Sequence, residues 1–272
     1  MKSWTSALMD SLRRAPLLGG DLPEAAILDR SGLGKPSPGF ELNFNQKLGH
    51  LYEDALQHLL EQSQRFSLLA AHLQIVNDEG ITLGEMDYLL REGETQMNLQ
   101  LELAVKFYLA HRSENGWTYP GPDPRDHWQS KLKRMRTHQL RLALLPDSVR
   151  LLQERFEMTQ LAVRQLIYGR LFIPITEDDC PLPEAMAGDG LRGRWLYCHQ
   201  FNDWRLASQE LRVVPKPLWP VLLTRELVRE LPVVGAAELI ELAQVRCTLL
   251  VVGNSLEPVF LVPDHWPTAS AV

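Results

Sequence analysis

Two neighbouring strand-like segments, residues 81–90 and 97–109, constrain this chain most, because each sets acidic residues inside apolar alternation. In the second, Met97, Leu99, Leu101, Leu103, Val105, Phe107 and Leu109 make one unbroken apolar face. The other face reads Asn98, Gln100, Glu102, Ala104, Lys106 and Tyr108, the period-two pattern of a β-strand. In the first segment, Glu85 and Asp87 share a face with Leu83 and Leu89. If residues 97–109 form a central strand covered on both sides, Glu102 and Lys106 are expensive to bury and need partners, a metal ion or a functional role. If the strand has one wet face, they need no explanation, and alternation alone is compatible with both arrangements.

The elements around this pair suggest a helix followed by a three-stranded meander. Residues 46–62 carry Leu48, Leu51, Tyr52, Ala55, Leu56, Leu59 and Leu60 at helical spacing, with Asn45 available as a cap. Residues 66–76 read as a strand and residues 77–80 as a turn. The turn-rich stretch 114–124 ends the meander. Asp126 is placed to cap a helix carrying Leu132, Met135, Gln139 and Leu140, and apolar spacing predicts a second helix over residues 147–168. Residues 170–175 read as a short strand, with Pro174 favouring an edge or an end. Beyond Thr176, prolines and glycines mark a boundary. These features divide the chain into a lead-in over residues 1–39 packing on the core, an α/β core over residues 40–176, and a smaller α+β C-terminal subdomain over residues 177–272.

Bulk properties exclude several classes. A chain of 272 residues buries a sizeable core. Its net charge of −6 means that any contact with nucleic acid must use a local basic patch. Asp10, Arg13 and Arg14 interrupt the apolar run that a signal peptide needs, and no stretch approaches the roughly 20 apolar residues of a membrane-spanning helix. Cys180, Cys198 and Cys247 are odd in number and widely spaced, so they read as reduced thiols of a cytoplasmic protein, not as disulfides or a zinc site.

The order of elements and the residues on them resemble the PD-(D/E)XK phosphodiesterase superfamily, the restriction-endonuclease-like nucleases with an αβββαβ core and a mixed sheet. More closely, the chain is similar to a bacterial family described only as a domain of unknown function and assigned to that superfamily. The resemblance rests on Gly49-x-x-Tyr52-Glu53, Gly84-Glu85-x-Asp87, Glu102-x-x-x-Lys106, Gly121-Pro122-x-x-x-Asp126, Gly169-Arg-Leu-Phe-x-Pro174 and Val262-Pro-Asp-His-Trp266-Pro. It implies that Asp87 and Glu102 hold a divalent ion, Mg²⁺ or Mn²⁺, with Glu53 as an auxiliary carboxylate. Hard oxygen ligands suit such ions. The superfamily's lysine falls two residues after the third-strand acid, where this chain has Ala104; the nearest lysine on that face is Lys106. Lys106 starts about 13 Å along the strand from Glu102 instead of about 7 Å. Lys131, Lys133, Arg134, Arg136, His138 and Arg141 form a basic helix suited to a phosphate backbone, with Gln139 as a candidate beside the site. Lys131, Arg134, His138, Gln139 and Arg141 are therefore the expected nucleic-acid contacts. The implied function is metal-dependent phosphodiester hydrolysis on DNA or RNA. The alternative is a catalytically inactive member that binds nucleic acid or protein, its C-terminal part meeting a protein partner.

Other motifs carry less. Gly188-x-Gly190-x-x-Gly193 fits a dinucleotide fingerprint literally, but a Pro-rich loop precedes it and a strand-like segment follows, so it reads as a turn. No Gly-x-Ser-x-Gly or His-Glu-x-x-His occurs. Trp195, Trp204, Trp219 and Trp266 read as core or interface anchors before base-stacking platforms.

Overall fold

The computed structural model describes residues 2–204 and 206–268. The first helix, α1 (Lys2–Arg14), buries Leu8, Met9 and Leu12 at helical spacing, so the lead-in opens on a helix for which no element was expected. A two-residue strand, β1 (Ala26–Ile27), follows, and then α2 (Leu48–Glu61). This helix buries Leu51, Tyr52, Ala55, Leu56, Leu59 and Leu60, a two-residue-wide stripe repeating every four positions. Its N-cap is Lys47, without a side-chain cap bond, and not the expected Asn45.

Three antiparallel strands come next: β2 (Phe66–Val76), β3 (Thr82–Glu92) and β4 (Asn98–Leu109), close to the expected meander. A small hairpin, β5 (His111–Ser113) with β6 (Gly116–Thr118), precedes α3 (Trp128–Thr137), a 3-10 turn at Gln139–Leu144, and α4 (Pro146–Phe156). Asp126 does not cap α3, whose N-cap is His127.

The expected helix over residues 147–168 stops at Phe156, because Glu157 turns into the left-handed region at φ 56°. Residues 162–168, which looked helical, instead join the expected strand at 170–175 to form β7 (Ala162–Pro174), the longest strand. Every residue from Gln165 to Pro174 is buried, so this strand shows no alternation and its apolar run mimicked helical spacing.

The remainder adds β8 (Arg192–Tyr197), β9 (Leu211–Val213), α5 (Arg225–Arg229), β10 (Val233–Val234), α6 (Ala236–Val245), β11 (Thr248–Val252) and β12 (Val259–Val262). The protein is a mixed α/β structure with six helices among the described residues. Its large sheet runs in the order β10-β9-β11-β12-β8-β7-β4-β3-β2, with β1 beside the first half of β7. The centre, β12-β8-β7-β4, is parallel, and both wings are antiparallel. The segment expected as a C-terminal subdomain thus extends the same sheet through β8.

Both faces are covered. One face of β4, through Leu99, Leu101, Phe107 and Leu109, joins the core of α1 and α2; the other, through Ala104 and Tyr108, packs with Trp128, Leu132 and Met135 of α3. The wet-face alternative for β4 is therefore ruled out. Among the described residues no helix is long and apolar enough to cross a membrane.

One irregularity positions the site. The β3–β4 ladder runs only from Arg91↔Asn98 to Tyr88↔Leu101. Before Tyr88, β3 continues beside β2 as far as Thr82, and after Leu101, β4 continues beside β7 as far as Leu109. The two strands therefore fork, with Asp87 and Glu102 as the first residues past the last pair.

Candidate carboxylate site at a strand fork

At the fork, Asp87 Oδ2 accepts a hydrogen bond from the Leu103 backbone N–H at 2.7 Å, so the side chain takes the place of the missing strand partner. Glu102, on the covered face of β4, is only 1% exposed. Gln100 Nε2 donates to Glu102 Oε1 at 2.8 Å and to the Gln139 carbonyl at 3.1 Å, while Gln139 Nε2 lies 3.5 Å from Glu102 Oε2. Lys131 Nζ donates to Gln139 Oε1 at 2.9 Å, placing an ammonium behind the amide that faces the glutamate.

The electrostatics follow from burial. Burial raises Asp87 to about 6, opposed by the Leu103 N–H and reinforced by the charge of Glu53. Burial, then the charge of Asp87, raises Glu102 further, to about 8. Burial depresses Lys131 to about 8, with the Lys106 charge adding to the depression and the two carboxylates opposing it. Burial is the first cause of all three shifts, so the fork brings together two carboxylates and a lysine that each carry charge at a cost.

The environment is richer in amides than the sequence analysis expected. Gln100 is fully buried, and its Oε1 has no hydrogen-bond partner among the described residues. Gln165 of β7 is the register partner of Glu102, is equally buried, and also leaves its Oε1 without a partner. Its Nε2 donates to the Gly20 carbonyl at 2.8 Å. Gln100 was visible on the polar face of β4, but as a neutral residue it drew less notice than the charges beside it. Gln165 lay in the segment misread as helix.

Lys106 is committed elsewhere. Its ammonium pairs with Asp126 Oδ2 at 2.6 Å, and Tyr108 OH donates to Asp126 Oδ1 at 3.2 Å. Asp126, expected as a helix cap, thus anchors the polar face of β4 instead. Glu53 on α2 is half-buried; its Oε2 lies 3.0 Å from His50 Nδ1 and its carbonyl accepts from Tyr88 OH at 2.7 Å. Its contribution to the Asp87 shift places it within electrostatic reach of the pair. Glu85 is exposed and meets His72 Nδ1 at 3.3 Å. His72 sits in β2 between the Ala71↔Tyr88 and Leu73↔Met86 pairs, beside Asp87, and holds φ at 52°. A left-handed histidine inside a strand is costly and concentrates at sites where geometry matters.

The expected basic helix divides into two roles. Lys131 turns inward to the carboxylates, while Arg134, His138 and Arg141 are exposed. Arg134 and Arg141 form no ion pair among the described residues, whereas Arg136 is held by Glu24 at 3.0 Å and Glu184 at 2.8 Å.

Among the described residues no cluster of three or more His, Cys, Asp or Glu is placed to hold a metal ion. The pair Asp87 and Glu102 still fits Mg²⁺ or Mn²⁺, because such ions keep several waters and take one or two carboxylates together with phosphate oxygens. No curated protein and no solved structure matches the chain. The family model described as "Domain of unknown function (DUF1853)" matches residues 20–248. That span covers well over half of the chain and includes the whole fork with the residues around it, so the protein belongs to the DUF1853 family.

Proposed function

We propose that the fork is the active site of a metal-dependent phosphodiesterase acting on nucleic acid. The observation that carries this reading is the meeting of Asp87 and Glu102 from adjacent strands at a buried fork, close enough for the charge of Asp87 to raise Glu102. The order α2-β2-β3-β4-α3-β7, interrupted by the β5–β6 hairpin before α3 and by α4 after it, with β4 and β7 parallel, supports an αβββαβ core of the restriction-endonuclease-like kind. A divalent ion held by the two carboxylates would neutralise charge on the phosphoryl group and acidify a bound water.

The chain's own residues do the rest. Gln100 and the Leu103 N–H fix the carboxylates from behind. Lys131 fills the role that Lys106 was expected to take: Ala104 occupies the superfamily's lysine position and Asp126 holds the Lys106 ammonium, while Lys131 bonds the Gln139 amide beside Glu102 and feels the charge of both carboxylates. With its proton affinity brought down to about 8, Lys131 exchanges a proton near neutral pH far more readily than an ordinary lysine. Exposed Arg134, His138 and Arg141 would track the phosphate backbone.

Calorimetric titration with Mg²⁺ and Mn²⁺ tests the site. The unmodified protein is expected to bind, and Asp87→Asn and Glu102→Gln to lose binding by about tenfold or more, as for an ion that forfeits one of two charged ligands. Lys131→Met is expected to keep metal binding and lose cleavage of a mixed-sequence oligonucleotide. If Lys106→Met and not Lys131→Met abolishes cleavage, the lysine assignment is wrong. If the unmodified protein binds neither ion with oligonucleotide present, the phosphodiesterase reading gives way to a non-catalytic binding role on the same fold, which the engaged Lys106 also favours.

A further inference from the structure

A second feature opens from the far half of β4. Past the fork, β4 has no strand on its β3 side, and a cavity of about 640 Å³ lies against Val105, Lys106 and Phe107. Its other walls come from the start of α2, the 122–126 loop and three C-terminal stretches that include Trp219, Arg246 and Trp266. The volume falls within the roughly 300–1,000 Å³ of small-ligand sites.

Its charge is lopsided. The two acids in the wall are already neutralised: Asp126 by Lys106 at 2.6 Å, and Asp123 by Arg125, whose Nε and Nη2 donate to it at 3.0 and 2.8 Å. The cations at the rim are not. Lys216 and Arg246 are exposed and form no ion pair among the described residues; Lys216 Nζ stands 5.8 Å over the Trp219 ring, and exposed His265 adds a third basic group. The rest of the lining is mixed, with Leu48, Val105, Phe107, Leu242 and Leu249 supplying its apolar part. The indole N–H groups of Trp219 and Trp266 are spent on the carbonyls of Val214 at 2.9 Å and Gly121 at 3.1 Å, and both rings are largely buried, so each presents only an edge of apolar surface to the cavity. Val245, 81% exposed, leaves an apolar lip beside Arg246. A chamber of mixed lining, with Lys216 near Asp123 but in no ion pair among the described residues and Arg246 at the rim, suits a flat group that carries both an apolar face and an anion.

We propose that this cavity holds one nucleotide unit of a single-stranded nucleic acid, its base in the chamber and its phosphate against Lys216 and Arg246. The assignment rests on the phosphodiesterase reading. Lys106 links the two places, lining the cavity about four residues, or about 13 Å along β4, from Glu102. The cavity therefore selects an unpaired stretch of strand near the bond to be cut, because a base held inside a duplex cannot enter it.

The test is quenching of tryptophan fluorescence by a six-residue oligothymidylate in EDTA, where no metal-dependent cleavage occurs. Binding is expected with the unmodified protein and with Asp87→Asn. It is expected to weaken by about tenfold or more in a Lys216→Ala/Arg246→Ala double variant, since each side chain supplies a charge-assisted phosphate contact. Both residues are exposed, and a Lys216→Glu variant, reversing one charge without shortening the wall, should weaken it similarly. Absence of binding, binding indifferent to both substitutions, or equal binding of a hexaglutamate peptide overturns the proposal, the last in favour of an acidic protein partner. Oligothymidylate binding that depends on Lys216 in a protein that takes up no metal supports the cavity while ending the phosphodiesterase reading.

Discussion

Gly169→Ala is expected to abolish the folded state. Gly169 lies in the middle of β7, in register with Lys106 of β4, and its φ of 141° belongs to a region L-residues rarely adopt. A Cβ there would sit 1.6 Å from the Lys106 carbonyl oxygen and 2.7 Å from its carbon. The obstacle is backbone, and neither strand can give way: β4 is held by β7 over eleven register pairs, from Leu99↔Ala162 to Leu109↔Phe172, and β7 is flanked on its other side by β1 and β8. The loss should exceed about 4–5 kcal/mol, the range reserved for severe core and backbone conflicts. Urea denaturation followed by circular dichroism measures it, with Gly188→Ala as the control, since a Cβ at Gly188 meets nothing within 4 Å. If Gly169→Ala melts at the same urea concentration as the unmodified protein, the close approach of β7 to β4 at Lys106 is wrong, and with it the placement of the Lys106–Asp126 pair.

In EDTA, Glu102→Gln is expected to make the protein more stable, by an amount that grows with pH. Glu102 ionises near 4.5 when unfolded and near 8 when folded, because burial and then Asp87 oppose its charge. The folded state therefore holds a proton that the unfolded state has released, and stability falls as pH rises from about 4.5 to about 8. Glutamine keeps the shape, and its carbonyl still accepts from Gln100, without a charge to bury. The advantage of the variant should be near zero below pH 4.5 and reach several kcal/mol, on the order of 3 to 5, above pH 8. Lys131 acts in a different window: its depressed value penalises the charged form as pH falls from 10.5 to about 8 and adds no further slope below. Asp87, raised to about 6, adds a slope of its own below that value, so the glutamate is read from the difference between variant and unmodified protein in chemical denaturation at pH 5, 7 and 8. A difference between variant and unmodified protein that does not change with pH would mean that Glu102 is not buried at the fork. The same substitution is expected to remove metal binding, so one change gains stability and loses the proposed function, as at a site that holds charge at a cost to the fold.

How much was legible beforehand varied with the kind of signal. The meander over residues 66–109 and helix α2 came from periodicity, since each buries one face and alternation or a four-residue stripe records that. Helix α1 was hidden by a Gly/Pro-rich stretch that begins only after Arg14. The first part of β7, up to residue 168, was lost to a helical reading because a strand buried on both faces carries no period-two signal, while its end over residues 170–174 was read as a strand. Asp87 and Glu102 stood out as charges in apolar alternation, but Lys131 was assigned to a solvent-facing basic surface. Its helix is basic on several sides, and only the packing of α3 on β4 shows which lysine turns inward.

The sequence by itself determined that β4 carries an uninterrupted apolar face, that Glu102 and Lys106 lie on the other, and that Asp87 shares a face of the preceding strand with Glu85. These are consequences of chain geometry, since a strand alternates its side chains whatever surrounds it. Tertiary structure alone decided that both faces are covered, that β3 and β4 part after one short ladder, and that Asp126 holds Lys106 while Lys131 stands at the carboxylates. Burial, and with it the altered proton affinities of Asp87, Glu102 and Lys131, depends on which distant segments close over the strand, and that information is spread over contacts among residues far apart in the chain.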